Sequence, residues 1–469
     1  MSAAVSEPAV PNRGELQAEV PRKGRLKSRH VTLLAIGGCI GASLFVGVGE
    51  VVRSAGAGAV LSFFLGGVIV YFVMLMLGEM TTARPELGTF VDYARVGVGG
   101  WAAFAVGWLY WYLFVAIIAF EAVVAGQVIG GWLGVPNWLC SLGVMAVFVG
   151  LNLYSARGFG EAEFLLAGIK IATILVLGVG AVGYVLGLLP GSTGVGLTNL
   201  LNAPLLPNGI APVVQGMAIA VLSFVGTEIA VIASRESEDP GRAVVRTTRL
   251  AVIRIVLFFV GSVVALLLVL PFAEIPVDSS PFAAAFDRFG IPYSVQIMDA
   301  VLLVAVLSIV NASIYACSQT LFRLARNGYA PAGIDRRNAR GVPWIGVLLS
   351  GSGGLLGAAV NWFAPDEAFA FVLNSVGALA LIVYGFVCAS QVGMRMRTPA
   401  EQIAQLPVRM WGHPWLAILC GVALLGIDVV MFIEYETRVQ VALSLLALVV
   451  VSVVYVFLSL ARRRRVDSA

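Results

Sequence analysis

Long apolar runs separated by short polar stretches dominate the chain. A helix needs about 20 apolar residues to cross a bilayer core of about 30 Å. Runs of that kind predict twelve spans, at 31–52, 57–82, 100–130, 138–156, 162–189, 209–234, 249–272, 295–326, 343–363, 367–390, 414–434 and 439–461. They are continuous rather than alternating, which excludes the strands of about ten residues found in a membrane β-barrel. The expected class is therefore all-α and integral to a membrane. No loop is long enough for a soluble domain. The longest, 190–208 and 273–294, are rich in Gly, Pro and Asn.

Two spans are interrupted near mid-depth. The first carries GGCIGASLFVGVG at 37–49, although each glycine weakens a helix by roughly 1 kcal/mol relative to alanine. Five spans later, SFVGTEIAV at 223–231 puts a polar, glycine-containing patch into the sixth. Interrupted segments at matching positions of two halves point to a transporter built from inverted repeats. Residues 31–189 and 209–390 would form the two five-helix repeats, inverted because each has an odd number of spans. Residues 391–461 add the last two helices and their preceding loop, and 1–30 and 462–469 are tails. Gly37 and Gly41 also form a GxxxG pair, which lets helices pack closely. The matching break in the sixth span favours an unwound ligand site instead. A phosphate-binding glycine loop does not fit, since no strand precedes the motif.

Composition narrows the function. Hydrophobic residues are 59% of the 469 and charged residues 12%, against about 25% charged in a soluble domain; the mean hydropathy is +0.94. No GxxxxGK[ST] motif occurs, which excludes most ATP-driven machinery. His30 and His413 are the only histidines, and the five cysteines lie in or beside apolar spans. Neither metal-ligand spacing nor a disulfide framework results. No cofactor is expected, no nucleic-acid partner, and no enzyme, which would need a nucleophile, base or metal clustered at one depth.

The basic residues set orientation. Of the 30 Lys and Arg, 26 fall in alternate loops and helix ends if the N-terminus is cytoplasmic. The opposite loops hold Glu274, Asp278, Asp366, Glu367 and Glu436. Both termini are thus expected in the cytoplasm. The first thirty residues are polar and basic, unlike a cleavable signal peptide. Arg462–Arg465 read as a stop-transfer and headgroup anchor.

Several segments carry a resemblance. GGCIGASLFVG, then LGEMTTARPELGTFVDYA at 77–94, GWLYWYLF at 107–114 and GFGEAEFLLAGIK at 158–170 are similar to bacterial amino-acid permeases. SFVGTEIAVIASRESEDPGRAV at 223–244 and NASIYACSQTLFRLARNGYAP at 311–331 extend the match. These permeases belong to the amino acid–polyamine–organocation superfamily. The resemblance implies a LeuT-like five-plus-five inverted repeat with broken helices 1 and 6 and two further helices. It also implies proton-coupled amino-acid import by alternating access, in a multi-pass protein of the bacterial cytoplasmic (inner) membrane. GWLYW followed by FEA at 120–122 looks most like the γ-aminobutyrate permeases, implying γ-aminobutyrate or a related ω-amino or neutral amino acid. Aromatic, basic or small neutral specificity stays open, as does an amino-acid sensor that moves nothing. The chain departs from the family's usual GTGLF with Ser43 in place of glycine, and has Gln319 where relatives commonly have Arg.

A zwitterion needs donors for its carboxylate and acceptors for its ammonium, and an unwound helix offers both. The amides of Gly41, Ala42 and Ser43 are the expected carboxylate donors. Carbonyls near Ile36, Gly37, Ser223, Phe224 and Gly226 are the expected ammonium acceptors. The resemblance implies that Phe224 covers the substrate; ordinary packing is its other reading. An ionisable group inside a span costs about 2.5–3.5 kcal/mol on insertion scales and is a functional suspect. Lys170 lies deep in the fifth span. The resemblance puts it between helices 1 and 8, where its ammonium replaces the cation of sodium-coupled relatives and a proton can leave it; a permanently charged structural lysine is its other reading. Glu121 in the third span is suited to a distant substrate ammonium, or to bonding between helices. Glu228 relays protons or ties helices. Glu79, Arg84, Glu236 and Arg242 are expected to brace an inner gate. Asn311, Ser313 and Tyr315 are expected to face helices 1 and 6, with Asn311 and Ser313 touching substrate. Asp428 is expected at the interface, and Trp108 and Trp111 in packing or an interfacial belt.

Overall fold

The structure is a computed structural model that describes residues 40–87, 89–154, 160–189, 194–233, 240–277, 279–363 and 368–467. The chain from Ile40 opens with α1 (Ala42–Phe45) and α2 (Gly47–Ala55), which turns through Gly56–Gly58 into α3 (Ala59–Ala83). A short amphipathic α4 (Phe90–Gly97) precedes the long α5 (Gly100–Leu133), α6 (Asn137–Tyr154) and α7 (Gly160–Val185). After α8 (Thr198–Asn202) come α9 (Ala211–Ser223) and α10 (Thr227–Ala233). Next, α11 (Pro240–Ile253) widens to π-helical turns over Arg254–Val260 and runs into α12 (Gly261–Val269). The remainder comprises α13 (Pro281–Arg288), α14 (Ser294–Arg326), α15 (Trp344–Phe363), α16 (Ala368–Met396), α17 (Ala400–Ala404), α18 (Trp415–Ile433) and α19 (Arg438–Asp467).

Among the described residues there is no strand, and nine helical stretches are long and apolar enough to cross a membrane. Burial ranks them from centre to edge. In its most apolar window α5 is 78% buried, whereas α19 is 11% buried. The exposed Val, Leu and Phe side chains of α18 and α19 need a hydrocarbon solvent, since a soluble protein does not tolerate so large a continuous apolar surface.

The core forms where helices approach closely. On α15, a Cβ at Gly353 would strike the Val115 carbonyl of α5, and one at Gly357 would press on Ala119. In hydrocarbon, where burial gives helices little reason to associate, such small-residue contacts supply the packing.

The span predicted at 209–234 is interrupted between α9 and α10, within the glycine-containing patch at 223–231. Two elements differ from the sequence expectation. The seventh span begins at Pro240 rather than 249, because a polar stretch with Arg242, Arg246 and Arg249 extends the helix beyond its apolar part, with Pro at N1. The long stretches at 190–208 and 273–294 contain α8 and α13. Helix α13 is fastened to α1: the Ser280 hydroxyl donates to the Phe45 carbonyl (2.8 Å), and the Phe45 and Phe282 rings meet edge to face at 5.1 Å. Beside it Arg53 donates to the Phe272 carbonyl (3.1 Å), and Arg288 pairs with Glu274.

Candidate functional site

Helix α1 starts abruptly at Gly41, whose carbonyl receives the Leu44 and Phe45 amides (3.2 and 3.3 Å). An α-helix leaves its first amides without intrahelical partners. The Ala42 amide instead points at Glu121 of α5, with its nitrogen 3.4 Å from Oε2. Glu121 is buried, and its carboxyl group lies so close to Gly41 that a Cβ there would collide with Oε1 and with Ile309 of α14. A side chain at 41 would therefore have to displace the ends of both. Ser43 is buried in the same turn. The helical path slips at Val46 before α2 begins, a discontinuity that the glycine pattern did not reveal.

A break separates α9 from α10. Phe224 and Val225 turn tightly, their amides reaching the Val221 and Leu222 carbonyls (3.0 and 2.9 Å). Gly226 then adopts φ +101°, a conformation open to glycine and strained for other residues. Its amide donates to Glu228 Oε2 (2.9 Å). The hydroxyls of Tyr110 on α5 and Tyr384 on α16 also donate to this carboxylate, at 3.1 and 3.0 Å. Glu228 thus fastens the break to two other helices, and both tyrosines were missing from the sequence reading. The Phe224 carbonyl, expected to hold an ammonium, receives Thr227 through its amide (3.2 Å) and its hydroxyl. Ser223 donates back to Ile219 within α9 (2.8 Å). The Phe224 ring is fully buried against Phe259 at 4.4 Å, which in turn stacks on Phe63 at 6.3 Å.

Lys170 of α7 is fully buried, and its ammonium donates to Ser308 of α14 (2.9 Å). On α14, Ser308 and Ile309 meet Lys170 and Gly41, a position expected for residues a turn later. Asn311 instead accepts from Asn152 of α6 (2.9 Å), and Tyr315 is exposed at 45%. Ser313 is buried. The rotation of α14 accounts for the difference, because a few residues' shift along a helix turns a side chain to another neighbour.

The expected inner-gate group is rearranged. Buried Glu79 receives Arg395 Nη1 (2.9 Å), Gln391 Nε2 (2.9 Å) and the Met410 amide (2.6 Å). Arg395 also donates to the Met410 carbonyl (2.7 Å). This knot joins α3, α16 and the segment before α18. Burial and the neighbouring Arg395 push the His413 imidazole below its ordinary range. Arg84 takes no part: it faces Glu86 at 3.6 Å, with both side chains largely exposed. Arg242 is exposed at the start of α11. Arg395 is one of the 26 basic residues in alternate loops and helix ends, and nothing in its local sequence sets it apart.

Ile36, Gly37 and Glu236 lie outside the described residues. Asp428, near the end of α18, is buried at 6% exposure, and among the described residues neither of its oxygens has a hydrogen-bond donor. Trp108 and Trp111 pack edge to face at 5.7 Å, beside Leu321 and Leu324 of α14.

The amino acid permease family matches this chain over residues 30–468. A γ-aminobutyric acid permease of Bacillus subtilis (strain 168) is 38% identical over 430 residues, 91% of this chain and 92% of the relative. The γ-aminobutyric acid permease of Escherichia coli (strain K12) is 36% identical over the same shares of each chain. An aromatic amino acid transport protein of Corynebacterium glutamicum is 36% identical over 89% of this chain and 91% of the relative. With a family match over nearly its whole length and a membrane-spanning helical fold, this chain belongs to the amino acid permease family.

Proposed function

We propose that the protein is a proton-coupled secondary transporter that imports γ-aminobutyrate or a related ω-amino or neutral amino acid. One observation carries the reading: a helix that starts at Gly41 and a helix interrupted at Phe224–Gly226, each with a buried carboxylate against a backbone amide. The reading assigns the chain a LeuT-like fold of twelve membrane helices. Residues 31–189 and 209–390 are its inverted repeats, and 391–461 its last two helices. Both termini lie in the cytoplasm and the protein in the bacterial inner membrane.

In this mechanism the substrate carboxylate takes the Gly41–Ser43 amides, displacing Glu121 from Ala42. The released Glu121 then faces the substrate ammonium. An ω-amino acid, whose two charges are several bonds apart, is suited to a site with donors on α1 and a carboxylate on α5. Carbonyls of Ile36, Gly37, Ser223 and Gly226 complete the ammonium's shell, with Asn311 and Ser313 at the margin and Phe224 as the covering aromatic. Lys170 carries the coupling proton, passing it when its contact with Ser308 loosens, and Glu228 holds the second break during the change. Glu79, Arg84, Glu236 and Arg242 belong to the inner gate in this reading, with Arg395 as the partner of Glu79. Binding drives transport because the ligand favours the occluded state over the open ones.

The experiment is uptake of labelled γ-aminobutyrate into proteoliposomes under an imposed pH gradient. Accumulation that collapses with the gradient is the expected result. If no amino acid accumulates, the transport reading fails. The Corynebacterium relative supports aromatic amino acids as the second reading, and competition by unlabelled phenylalanine separates the two. Binding without accumulation would identify a sensor.

A further inference from the structure

The helix that carries α11 and α12 is widened in its middle, over Arg254–Val260. A π-helix bonds i to i+5 instead of i+4, so its turn takes in one residue more than an α-turn. One residue is worth about 100° in a helix of 3.6 residues per turn. The widening therefore turns the side chains around it to new neighbours. Val256 and Leu257 are exposed, whereas Phe258 and Phe259 are buried, Phe259 completely. The Ser262 hydroxyl donates to the Phe258 carbonyl at the end of the widened segment. We propose that Phe259 is a positioning residue that sets substrate size, by fixing how far the Phe224 ring reaches over the bound amino acid. This rests on the reading of Phe224 as the covering aromatic.

Phe224 is the C-cap of α9, two residues before Gly226. Tyr110 and Tyr384 hold the backbone of this break through Glu228. The Phe224 ring is held by other aromatic rings. Its centroid is 4.4 Å from that of Phe259, with the planes inclined at 51°. Phe259 in turn stacks on Phe63 of α3, with centroids 6.3 Å apart and planes at 21°, and Phe63 is fully buried. Helix α3 is itself pressed against α9: a Cβ at Gly66 would come within 2.8 Å of the Ala220 Cβ. The contacts thus run from Phe224 through Phe259 to a helix that has no room to recede. In a close-packed interior the Phe224 ring cannot draw back while Phe259 fills the space behind it.

A shorter side chain at 259 leaves a cavity that its neighbours partly fill. The nearest of these is the Phe224 ring, at the end of a helix. As that ring withdraws, the site deepens on one side, while the Gly41–Ser43 amides and Glu121 keep their places. The change acts on volume and not on charge. An unbranched ω-amino acid loses its apolar cover, and an aromatic α-amino acid gains room.

The test is equilibrium binding of labelled γ-aminobutyrate and labelled phenylalanine to the purified full-length protein, read as the ratio of the two Kd values. Phe259→Ala should shift that ratio toward phenylalanine by about tenfold, the scale of a small volume change in an apolar pocket. Phe259→Leu keeps more of the core filled and should shift it the same way. A purely structural role lowers the number of folded sites and leaves the ratio alone. Phe289→Leu, which removes a buried ring beside Tyr184, should also leave it alone. In a Phe224→Leu background, Phe259→Leu should shift the ratio no further, because its effect passes through the Phe224 ring. An unchanged ratio in both Phe259 variants overturns the proposal. So does an equal shift with Phe289→Leu, or a full further shift in the Phe224→Leu background. A shifted ratio without uptake sinks the transport reading alone, and a wild type that binds neither amino acid sinks both.

Discussion

The knot around Glu79 makes a quantitative prediction. Its carboxylate is almost wholly buried and receives one charged and two neutral donors. Arg395→Leu removes the charged donor and leaves a buried carboxylate with two neutral ones. Removing one member of a buried pair costs about 3–5 kcal/mol. The Arg395 side chain is 18% exposed, so water screens the pair a little and the lower figure, about 3 kcal/mol, applies. Glu79→Gln keeps the shape but removes the charge, leaving Arg395 on the Met410 carbonyl, at a cost of about 2 kcal/mol. With both changes no charge is stranded, so the double variant should lose about 3 kcal/mol rather than the sum. The coupling energy is then about 2 kcal/mol. Reversible unfolding of the four proteins in mixed micelles, titrated with sodium dodecyl sulfate, measures it. Arg84→Ala is the control. Its exposed partner Glu86 is 3.6 Å away, and such a pair is worth about 0–1 kcal/mol. If the Glu79 and Arg395 changes add within about 0.5 kcal/mol, the knot is not a stabilising pair.

Three further outcomes test the breaks. Lys170→Ala should abolish pH-driven accumulation in proteoliposomes, and coupling that survives would refute the proton assignment. Gly226→Ala must hold a side chain at φ +101°, a strain of about 1–3 kcal/mol; an unchanged unfolding midpoint would mean the break relaxes at no cost. Ser43→Gly removes a buried hydroxyl beside the Gly41 amides, and a pocket change of that size shifts relative affinities by about 1–3 kcal/mol. Competition of γ-aminobutyrate uptake by a panel of α-amino acids reads it, and an identical profile in both proteins would place Ser43 outside the pocket.

What the sequence made legible was local, and what it hid was long-range. Glycine at 41 and 226 marks the start of α1 and the break after α9 because a missing Cβ is a property of one residue and its backbone. The apolar runs likewise report membrane burial residue by residue. Partner choice is different. Ala42 meets Glu121 across 79 residues, Lys170 meets Ser308 across 138, and Glu79 meets Arg395 across 316. Each pairing depends on how two helices are rotated and how far one has slid along the other. A shift of two or three residues, about 200° or 300° in a helix of 3.6 residues per turn, was enough to exchange Asn311 for Ile309 or Ser308 as the side chain facing Gly41 and Lys170. The same geometry explains why the acidic residues were found and their partners were not. A carboxylate inside an apolar run stands out as costly in the sequence itself. The tyrosines and serines that accept that cost, such as Tyr110, Tyr384 and Ser308, look like ordinary members of a membrane helix until the helices pack. In this chain the polar residues that merit mutation first are therefore those uncharged partners, because they are the ones that decide which buried charge the fold can hold.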